Sequence, residues 1–339
     1  PSPSGRTLGR PLDAGPLPVL RPAQDLRPAP SKASHSRSMQ RLALTGTALL
    51  LAATPITSSA QPAARAGVSP QVSGGHRSYS EFSYVTPASL QEGATDHGDI
   101  DTAGAQVSYQ VSVPSSDRYA WQVGFEWRGL WFDVPGAAPI PENLQEISLR
   151  LGNTWNFAED WTFQLMLSPG LYSDLEDIDA GDFNVTGVVL FFWQLQESLQ
   201  LVGGLVANPR NDVPVIPALG ARWDFADRWT LLAVYPTPRI EYAFSEQWTA
   251  FAGAELVRTA YRVAEDFGDR HGRPELNDED LSYNEWRVGA GARWRIGRGV
   301  TLSVDGGWTG EREYVFDDRD IELETDGSPY VQISVSGRY

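Results

Sequence analysis

The chain has 339 residues, no cysteine, a formal net charge of −16, 32 glycines, and 12 tryptophans, 12 tyrosines and 13 phenylalanines. The lack of cysteine excludes disulfides, thiolate metal sites and thiol catalysis, and the acidic balance disfavours binding to nucleic acid or another polyanion. No run approaches the roughly 20 apolar residues of a helical membrane span, whereas abundant aromatics and glycine are typical of membrane β-strands.

The N-terminal region predicts an export signal. Arg41 supplies a positive start, residues 42–53 form an apolar stretch, and Ser58-Ser59-Ala60 is a small-residue cleavage site. A membrane anchor is the rival interpretation, but the apolar stretch is shorter than a membrane span. We therefore expect a signal peptide over residues 39–60.

Composition places the remaining boundaries. Residues 1–38 are rich in Pro, Arg and Ser and lie before the first methionine, so they are interpreted as a disordered leader or mis-called upstream sequence. Residues 61–75 are expected to be a flexible N-terminal segment. A single β-barrel is expected over residues 76–339.

The barrel prediction depends on runs in which apolar and polar residues alternate. Residues 105–113, 119–131 and 286–296 place aliphatic or aromatic side chains on one face and mostly Gln, Ser, Gly, Glu or Arg on the other. Each run is long enough to cross a bilayer as a tilted strand. Residues 330–339 alternate throughout and stop on Tyr339, which resembles the signal by which outer-membrane barrels are delivered for assembly.

Short and long connections alternate between these strands. Tight hairpin turns are predicted within Trp155-Asn-Phe-Ala-Glu-Asp-Trp161, Trp193-Gln-Leu-Gln-Glu-Ser-Leu199, Trp223-Asp-Phe-Ala-Asp-Arg-Trp229, Tyr242-Ala-Phe-Ser-Glu-Gln-Trp248 and Trp294-Arg-Ile-Gly-Arg-Gly-Val300, with a looser turn at 114–118. Longer, mostly acidic connections are expected at 87–103, 133–143, 173–181, 208–215, 264–282 and 317–328. Outer-membrane barrels place short turns in the periplasm and long loops outside, so the alternation predicts both topology and orientation.

The sequence therefore predicts an all-β fold, an antiparallel up-and-down transmembrane β-barrel of 12 to 14 strands. Fourteen candidate strands can be counted, but Pro236-Thr-Pro238 leaves only short strands within residues 216–244, because proline cannot donate to a ladder. The competing fold is a soluble periplasmic sandwich. A sandwich gives no reason for tryptophans to cluster at the short turns.

The middle of the chain resembles a family of bacterial outer-membrane β-barrel proteins catalogued as a domain of unknown function. The likeness is carried by Pro169-Gly-Leu-Tyr-Ser-Asp-Leu-Glu-Asp177, Asn208-Pro-Arg-Asn-Asp-Val-Pro-Val-Ile-Pro-Ala-Leu-Gly220 and Tyr235-Pro-Thr-Pro-Arg-Ile-Glu-Tyr242, together with the repeated turns. It covers roughly residues 150–339. The resemblance implies a barrel in the outer membrane and supplies no activity, ligand or catalytic residue.

Strand parity predicts which charged side chains point into the barrel. The predicted lumen-lining residues are Glu126, Arg128, Arg150, Arg222, Arg239, Glu241, Arg287, Arg293 and Arg295. Such groups form either a pore constriction that selects by charge or a salt-bridged plug that fills a closed barrel. The sequence leaves both interpretations open.

A second candidate site is a loop constriction formed by Asp174, Arg210 and Asp212, where an Arg–Asp pair would hold an inward-folded loop. The competing interpretation is that the prolines nearby only mark rigid turns. Acidic loop runs carry the ligands that hard cations prefer, but none has the spacing of an EF-hand. No metal and no cofactor are predicted.

Catalysis is not predicted either. His97 and His271 fall in expected acidic loops, and neither lies in a nucleophile motif such as Gly-x-Ser-x-Gly. We therefore expect a protein that is not an enzyme.

The function expected from the sequence is an outer-membrane channel or binding barrel for small solutes. A closed structural or surface-adhesive barrel with cation-binding acidic loops is the alternative, and a barrel hydrolase is the third possibility. Expected partners are outer-membrane lipid, small solutes and the barrel assembly machinery, which would contact the strand ending at Tyr339. Nucleic acid is not an expected partner.

Overall fold

The computed structural model describes residues 72–136, 138–211, 214–297 and 299–339. The predicted leader, the predicted signal peptide, residues 61–71 of the predicted flexible segment and Asp212 lie outside the described residues. All described residues belong to one compact unit.

The described strands form one sheet that closes on itself. They are β1 (Gly75–Glu92), β2 (Thr95–Ser116), β3 (Tyr119–Asp133), β4 (Asn143–Ala158), β5 (Trp161–Ser173), β6 (Phe183–Gln196), β7 (Leu199–Ala207), β8 (Val215–Ala226), β9 (Trp229–Val234), β10 (Arg239–Ala243), β11 (Trp248–Arg262), β12 (Asp280–Ile296), β13 (Val300–Phe316), β14 (Ile321–Thr325) and β15 (Pro329–Arg338). Successive strands pair antiparallel, and β15 pairs with β1 to close the ring. Because β14 and β15 are two parts of the last barrel strand, the predicted up-and-down barrel of 12 to 14 strands is confirmed as a closed barrel of 14.

The two ends of the barrel differ in their connections. Connections at the end called here the short-turn end are residues 117–118, 159–160, 197–198, 227–228, 244–247 and 297–299. The opposite, long-loop end has four longer connections, at 134–142, 174–182, 208–214 and 263–279, and shorter ones at 93–94, 235–238 and 317–320. The long connections predicted at 133–143, 173–181, 208–215 and 264–282 are present. Two predictions were wrong: β14 occupies residues 321–325 of the loop expected at 317–328, and the first hairpin has no long loop.

That first hairpin corrects one expectation. The loop predicted at 87–103 is absent, because β1 and β2 continue to a two-residue turn at Gly93 and Ala94. Leu90 and Ile100 both lie in this extension and are fully buried. Their burial in the barrel interior gives the two strands a reason to continue.

The proline-rich hairpin is short, as expected. β9 has six residues and β10 has five, on either side of Pro236-Thr-Pro238. The ladder between β8 and β9 ends at Gly220 and Val234. Beyond it, the carbonyls of Pro236 and Pro238 accept hydrogen bonds from β11, which needs no proline N–H.

The outer face of the wall is apolar. Trp121, Leu149, Trp286 and Val288 are each about half exposed, at 54%, 55%, 49% and 49%. Aromatic pairs lie beside the short turns, for example Trp161 on Trp193 and Trp248 on Trp294, with ring centroids 5.1 and 5.4 Å apart. Exposed apolar side chains flanked by an aromatic girdle are the surface that a bilayer-spanning barrel presents to lipid.

Helical structure is confined to connections. The helix α1 (Phe267–Arg270) and the 3₁₀ turn Pro274–Leu276 lie between β11 and β12, and a second 3₁₀ turn, Asp317–Arg319, follows β13. Within the described residues, no helix is long and apolar enough to cross a bilayer.

Candidate functional site: the barrel interior

Burial alternates along the strands and shows which side chains face inward. In β3, Glu126 and Arg128 are buried, whereas Val123 and Phe125 between the inward positions are exposed. The same alternation in β12 buries Arg287 and exposes Val288. The interior consequently contains charged groups withdrawn from water, and these require partners.

One group of predicted interior residues forms a closed charge network on β3 and β4. Arg128 donates to Glu126 at 2.9 Å and to Glu146 at 2.8 Å, and Arg150 also donates to Glu126. All four side chains are less than a tenth exposed. Two arginines neutralise two carboxylates here, so the network fills the interior without a net charge.

Arg287 forms a second buried ion pair with Glu285, two residues away on β12. Its guanidinium donates to both carboxylate oxygens of Glu285, at 2.8 and 2.9 Å, and to Gln332 at 3.0 Å. Tyr283 donates to the same carboxylate at 2.7 Å. This bidentate geometry fixes Arg287 as a structural cation.

The interior of the long-loop end is filled by an apolar cluster. Its buried members are Leu90, Ile100, Leu130, Phe132, Ala138, Ile140, Leu144, Tyr172, Tyr261, Val263, Ala264, Phe267, Leu276, Leu281, Tyr283, Tyr314, Phe316 and Leu323. The connection at residues 263–279, named the plug from here on, contributes Phe267 and Leu276, which are 1% and 0% exposed. The plug therefore folds into the barrel mouth and packs there as a protein core does.

Polar contacts attach the plug to the barrel wall. The Asp174 carboxylate accepts from the backbone N–H of Ala264 at 3.0 Å and of Glu176 at 3.2 Å. Burial raises the pKa of this carboxyl above its usual value, and the two backbone donors oppose that rise. Arg262 donates to Asp278 at 2.6 Å, and this hydrogen bond lowers the pKa of Asp278.

Arg210, in the 208–214 connection, contacts the 174–182 connection and the ends of β5 and β12. It donates to the carbonyl of Tyr172 at 2.9 Å and to that of Gly181, and its Nε lies 3.8 Å from Asp280. Asp174 and Arg210 thus both lie at the mouth, although the inward-folded segment is 263–279 and not the 208–214 connection that carries Arg210. No contact between Asp174 and Arg210 is recorded among the described residues.

The interior of the short-turn half holds a cavity of about 460 Å³, named the chamber from here on. The chamber is lined by the arginines Arg239, Arg287, Arg293, Arg295 and Arg338. The carboxylates of Glu255 and Asp305 also line it. Aromatic rings and hydroxyls complete the lining, among them Tyr79, Phe251, Tyr330 and Ser336. A volume of this order accommodates a small molecule.

Arg239 and Arg293 share one carboxylate in the chamber wall. Glu241 accepts from Arg239 Nε at 2.6 Å and from Arg293 Nη2 at 3.0 Å. The Arg293 guanidinium also lies over the Phe251 ring, 5.6 Å from its centroid. The ring and the carboxylate hold this cation in place while leaving 29% of its side chain exposed.

The last two predicted lumen residues differ in position. Arg222 pairs with Asp224 at 3.2 Å and is not part of the chamber lining. Arg295 lines the chamber and is exposed to solvent. The nine predicted residues are therefore distributed among the buried network, the Arg287 pair, the chamber and a separate pair on β8.

Sequence reasoning missed an apolar patch inside the barrel. It consists of Met166, Val188, Leu190, Phe192, Val202, Val206 and Ala218, with Val234 and Tyr235 against it. The signal was the continuous apolar run at residues 188–193 in β6. Val188, Leu190 and Phe192 are buried, whereas Phe191 is 41% exposed, so the strand is apolar on its inner face as well as its outer face.

None of the three histidines that the structure describes contacts a serine hydroxyl. The side chain of His76 contacts the hydroxyl of Tyr109 at 2.6 Å, that of His97 contacts Glu92 at 3.2 Å, and that of His271 contacts the carbonyl of Phe267 at 2.8 Å. Over the described part of the chain, no group of three or more His, Cys, Asp or Glu residues is placed to hold a metal ion.

A closed antiparallel barrel with an apolar exterior and a charged interior defines the protein as a membrane-type β-barrel. Residues 121–336 match the family described as a domain of unknown function, DUF6268, and the chain belongs to that family. No curated protein matches the sequence.

Solved structures with a similar architecture are outer-membrane barrels. They include the COG4313 outer membrane channel from Pseudomonas putida F1, at 12% identity over 80% of this chain and 97% of that chain, with a TM-score of 0.45. A FadL homologue from Pseudomonas aeruginosa has 12% identity over 78% and 89%, with a TM-score of 0.37. The NalP autotransporter translocator domain from Neisseria meningitidis has 11% identity over 82% and 93%, with a TM-score of 0.36. These likenesses concern the fold.

Proposed function

We propose that the protein spans the outer membrane and admits small solutes to the chamber, with the plug closing the path at the long-loop end. The apolar outer face supports insertion into a bilayer, and the predicted export signal supports passage to the outer membrane. The alternation of connections supports a periplasmic short-turn end. The strand ending at Tyr339 is the proposed contact for the assembly machinery.

The observation that carries this proposal is the division of the interior along the barrel axis. A cavity of about 460 Å³ lies in the short-turn half, and a packed apolar cluster containing the plug lies in the long-loop half. The plug is a connection and not part of the wall, so the 14-strand ring does not require it. Movement of the plug would extend the interior path without breaking a strand ladder.

Single-channel recording in planar bilayers tests the proposal. In one variant, residues 265–277 are replaced by a short Gly-Ser linker, which retains Arg262, Ala264 and Asp278. We expect rare, small openings from the parent protein and steady current, at least about tenfold larger on average, from the variant. The control carries Glu159→Ala and Asp160→Ala in a short turn and should conduct like the parent.

Electrophoretic mobility before and after boiling shows whether each variant is folded. A folded deletion variant that passes no current would contradict the proposed path.

The packed plug also favours a second candidate, a closed structural barrel. That candidate predicts no current from the parent or from the deletion variant. Binding of cations by its acidic loops has little support, because Arg262 already pairs with Asp278, Arg270 with Glu176, and Arg319 with Glu279. Carboxylates neutralised by arginine are poor ligands for an added cation.

A further inference from the structure

Two arginines at the short-turn rim of the chamber form no ion pair within the described residues. The interior ion pairs described above use Arg128, Arg150, Arg222, Arg239, Arg287 and Arg293. Within the described residues, Arg295 and Arg338 form no ion pair, although both line the chamber. Both are also exposed, so the rim faces solvent with uncompensated positive charge.

A third arginine adds to this charge. Arg77 on β1 lies directly opposite Arg338 on β15 in the ladder that closes the barrel. Cross-strand partners share one face of the sheet, and like charges placed opposite each other are destabilising. Because Arg338 points into the chamber, Arg77 lies on the chamber side of the wall as well. A bound anion would relieve this repulsion.

Two further arginines lie deeper inside the chamber. Arg239 and Arg293 line it and share the carboxylate of Glu241. Arg293 and Arg295 both lie on β12, and Arg338 lies on β15. Arg295 aligns with Thr301 on β13, and Thr301 aligns with Ser336 on β15. Arg338 is therefore two strand spacings away and two residues further along, roughly 12 Å from Arg295 along the wall.

We propose that the chamber binds small anions that carry two or more carboxylate or phosphate groups, and that they enter from the short-turn side. Arginine presents a planar fork that matches both acidic groups. Ser336 and Thr301 provide hydroxyl donors between the arginines, and Phe251 and Tyr330 provide apolar ring surface. This inference rests on the chamber of the proposed function, but it does not depend on passage through the plug.

The direction of entry follows from the charges at the two ends. The long-loop end is closed by the plug and carries acidic residues that form no ion pair within the described residues, including Asp177 and Asp179. These residues disfavour the approach of an anion from that side. The rim arginines are exposed at the other end and favour it.

Isothermal titration calorimetry on the full detergent-solubilised protein tests the inference at low ionic strength. The probes are citrate, for clustered carboxylates, and inorganic pyrophosphate, for clustered phosphates. We expect at least one to bind, with affinity that falls as salt is added. Trehalose as a neutral probe and putrescine as a cation should not bind.

Substitutions locate the binding. Arg295→Gln and Arg338→Gln should each lower the affinity for the bound probe about tenfold, and the double variant should lower it about a hundredfold. Arg222→Gln is the matched control, because it removes an arginine from the same end outside the chamber. It should bind as the parent does.

Outcomes separate this inference from the proposed function. No binding of either probe, or equal binding by the parent and a folded double variant, would overturn the anion site and leave the conductance test untouched. Parent-like affinity in the plug-deletion variant, together with no current from that variant, would support the site while rejecting the channel. Preference for citrate over pyrophosphate, or the reverse, identifies the acidic group.

Discussion

The two halves of the barrel share one wall but fill it differently. In the long-loop half, the apolar cluster and the plug occupy the interior, and Arg128 is paired with two carboxylates. In the short-turn half, the interior holds a chamber whose rim arginines, Arg295 and Arg338, are exposed to solvent. The strand framework is therefore compatible with a closed or an open interior, and the inward side chains decide between them.

The largest effect on stability is expected when a buried cation is removed from the closed half. Arg128→Ala leaves the carboxylates of Glu126 and Glu146 buried without their shared partner. We expect a loss of about 3–5 kcal/mol in the free energy of unfolding. Urea unfolding, followed by tryptophan fluorescence and gel mobility, measures it.

Arg222→Ala is the control for Arg128→Ala. Its pair with Asp224 is about one-third exposed and should contribute no more than about 1 kcal/mol. Equal losses of unfolding free energy in the two variants would mean that the buried network stabilises the barrel no more than the exposed Arg222–Asp224 pair does.

The second test removes the buried aromatic side chain of the plug. Phe267→Ala removes a side chain that is 1% exposed and packs on Phe316, with ring centroids 6.1 Å apart. We expect a loss of about 3–5 kcal/mol in plug packing, which should appear as faster proteolysis within residues 263–279. Ile178→Ala, which alters an exposed loop side chain, should leave the cleavage rate unchanged. Unchanged cleavage in Phe267→Ala would contradict a packed plug.

The third test uses pH. Because burial raises the folded-state pKa of Asp174 above 3.8, its protonated form is favoured by folding. The associated stability is present below about pH 3.8 and is lost as pH rises through the higher folded-state pKa. Relative to Asp174→Asn, the parent should therefore lose thermal stability over this window, as measured by melting in a series of acidic buffers. Parallel curves for the two proteins would refute the raised pKa.

The smallest effect is expected at the exposed edge of the plug. Arg270 pairs with Glu176, and both side chains are well exposed. Arg270→Ala should change the free energy of unfolding by less than about 1 kcal/mol, with cleavage of the plug close to that of the parent. A loss comparable to that of Phe267→Ala would show that ion pairs, and not apolar packing, hold the plug.

Local patterns predicted the wall, because a strand that separates lipid from an interior must alternate along its own residues. The alternation at 119–131 and the turn at Trp155 to Trp161 both correspond to observed strands and a two-residue connection. The strand count followed from the same signals. Residues that are close together in the sequence are enough to determine these features.

The contents of the interior depend on register and on residues far apart in sequence. Glu146 was absent from the predicted lumen set, yet it shares Arg128 with Glu126 because β3 and β4 align Arg128 with Glu146. Leu90, Phe267 and Leu323 belong to one cluster although they come from three distant segments. The chamber is likewise lined by residues from six strands and a connection. No single stretch of sequence contains enough of either assembly to reveal it.

The ladder between β1 and β15 joins residues such as Arg77 and Arg338 that are separated by nearly the whole barrel. Every partly assembled state that lacks this ladder has two unpaired edges, each with N–H and C=O groups that hydrocarbon cannot satisfy. Insertion by stepwise addition of hairpins would leave those edges in lipid. The ring must therefore be completed, or its edges protected by another protein, before the strands are released into the bilayer.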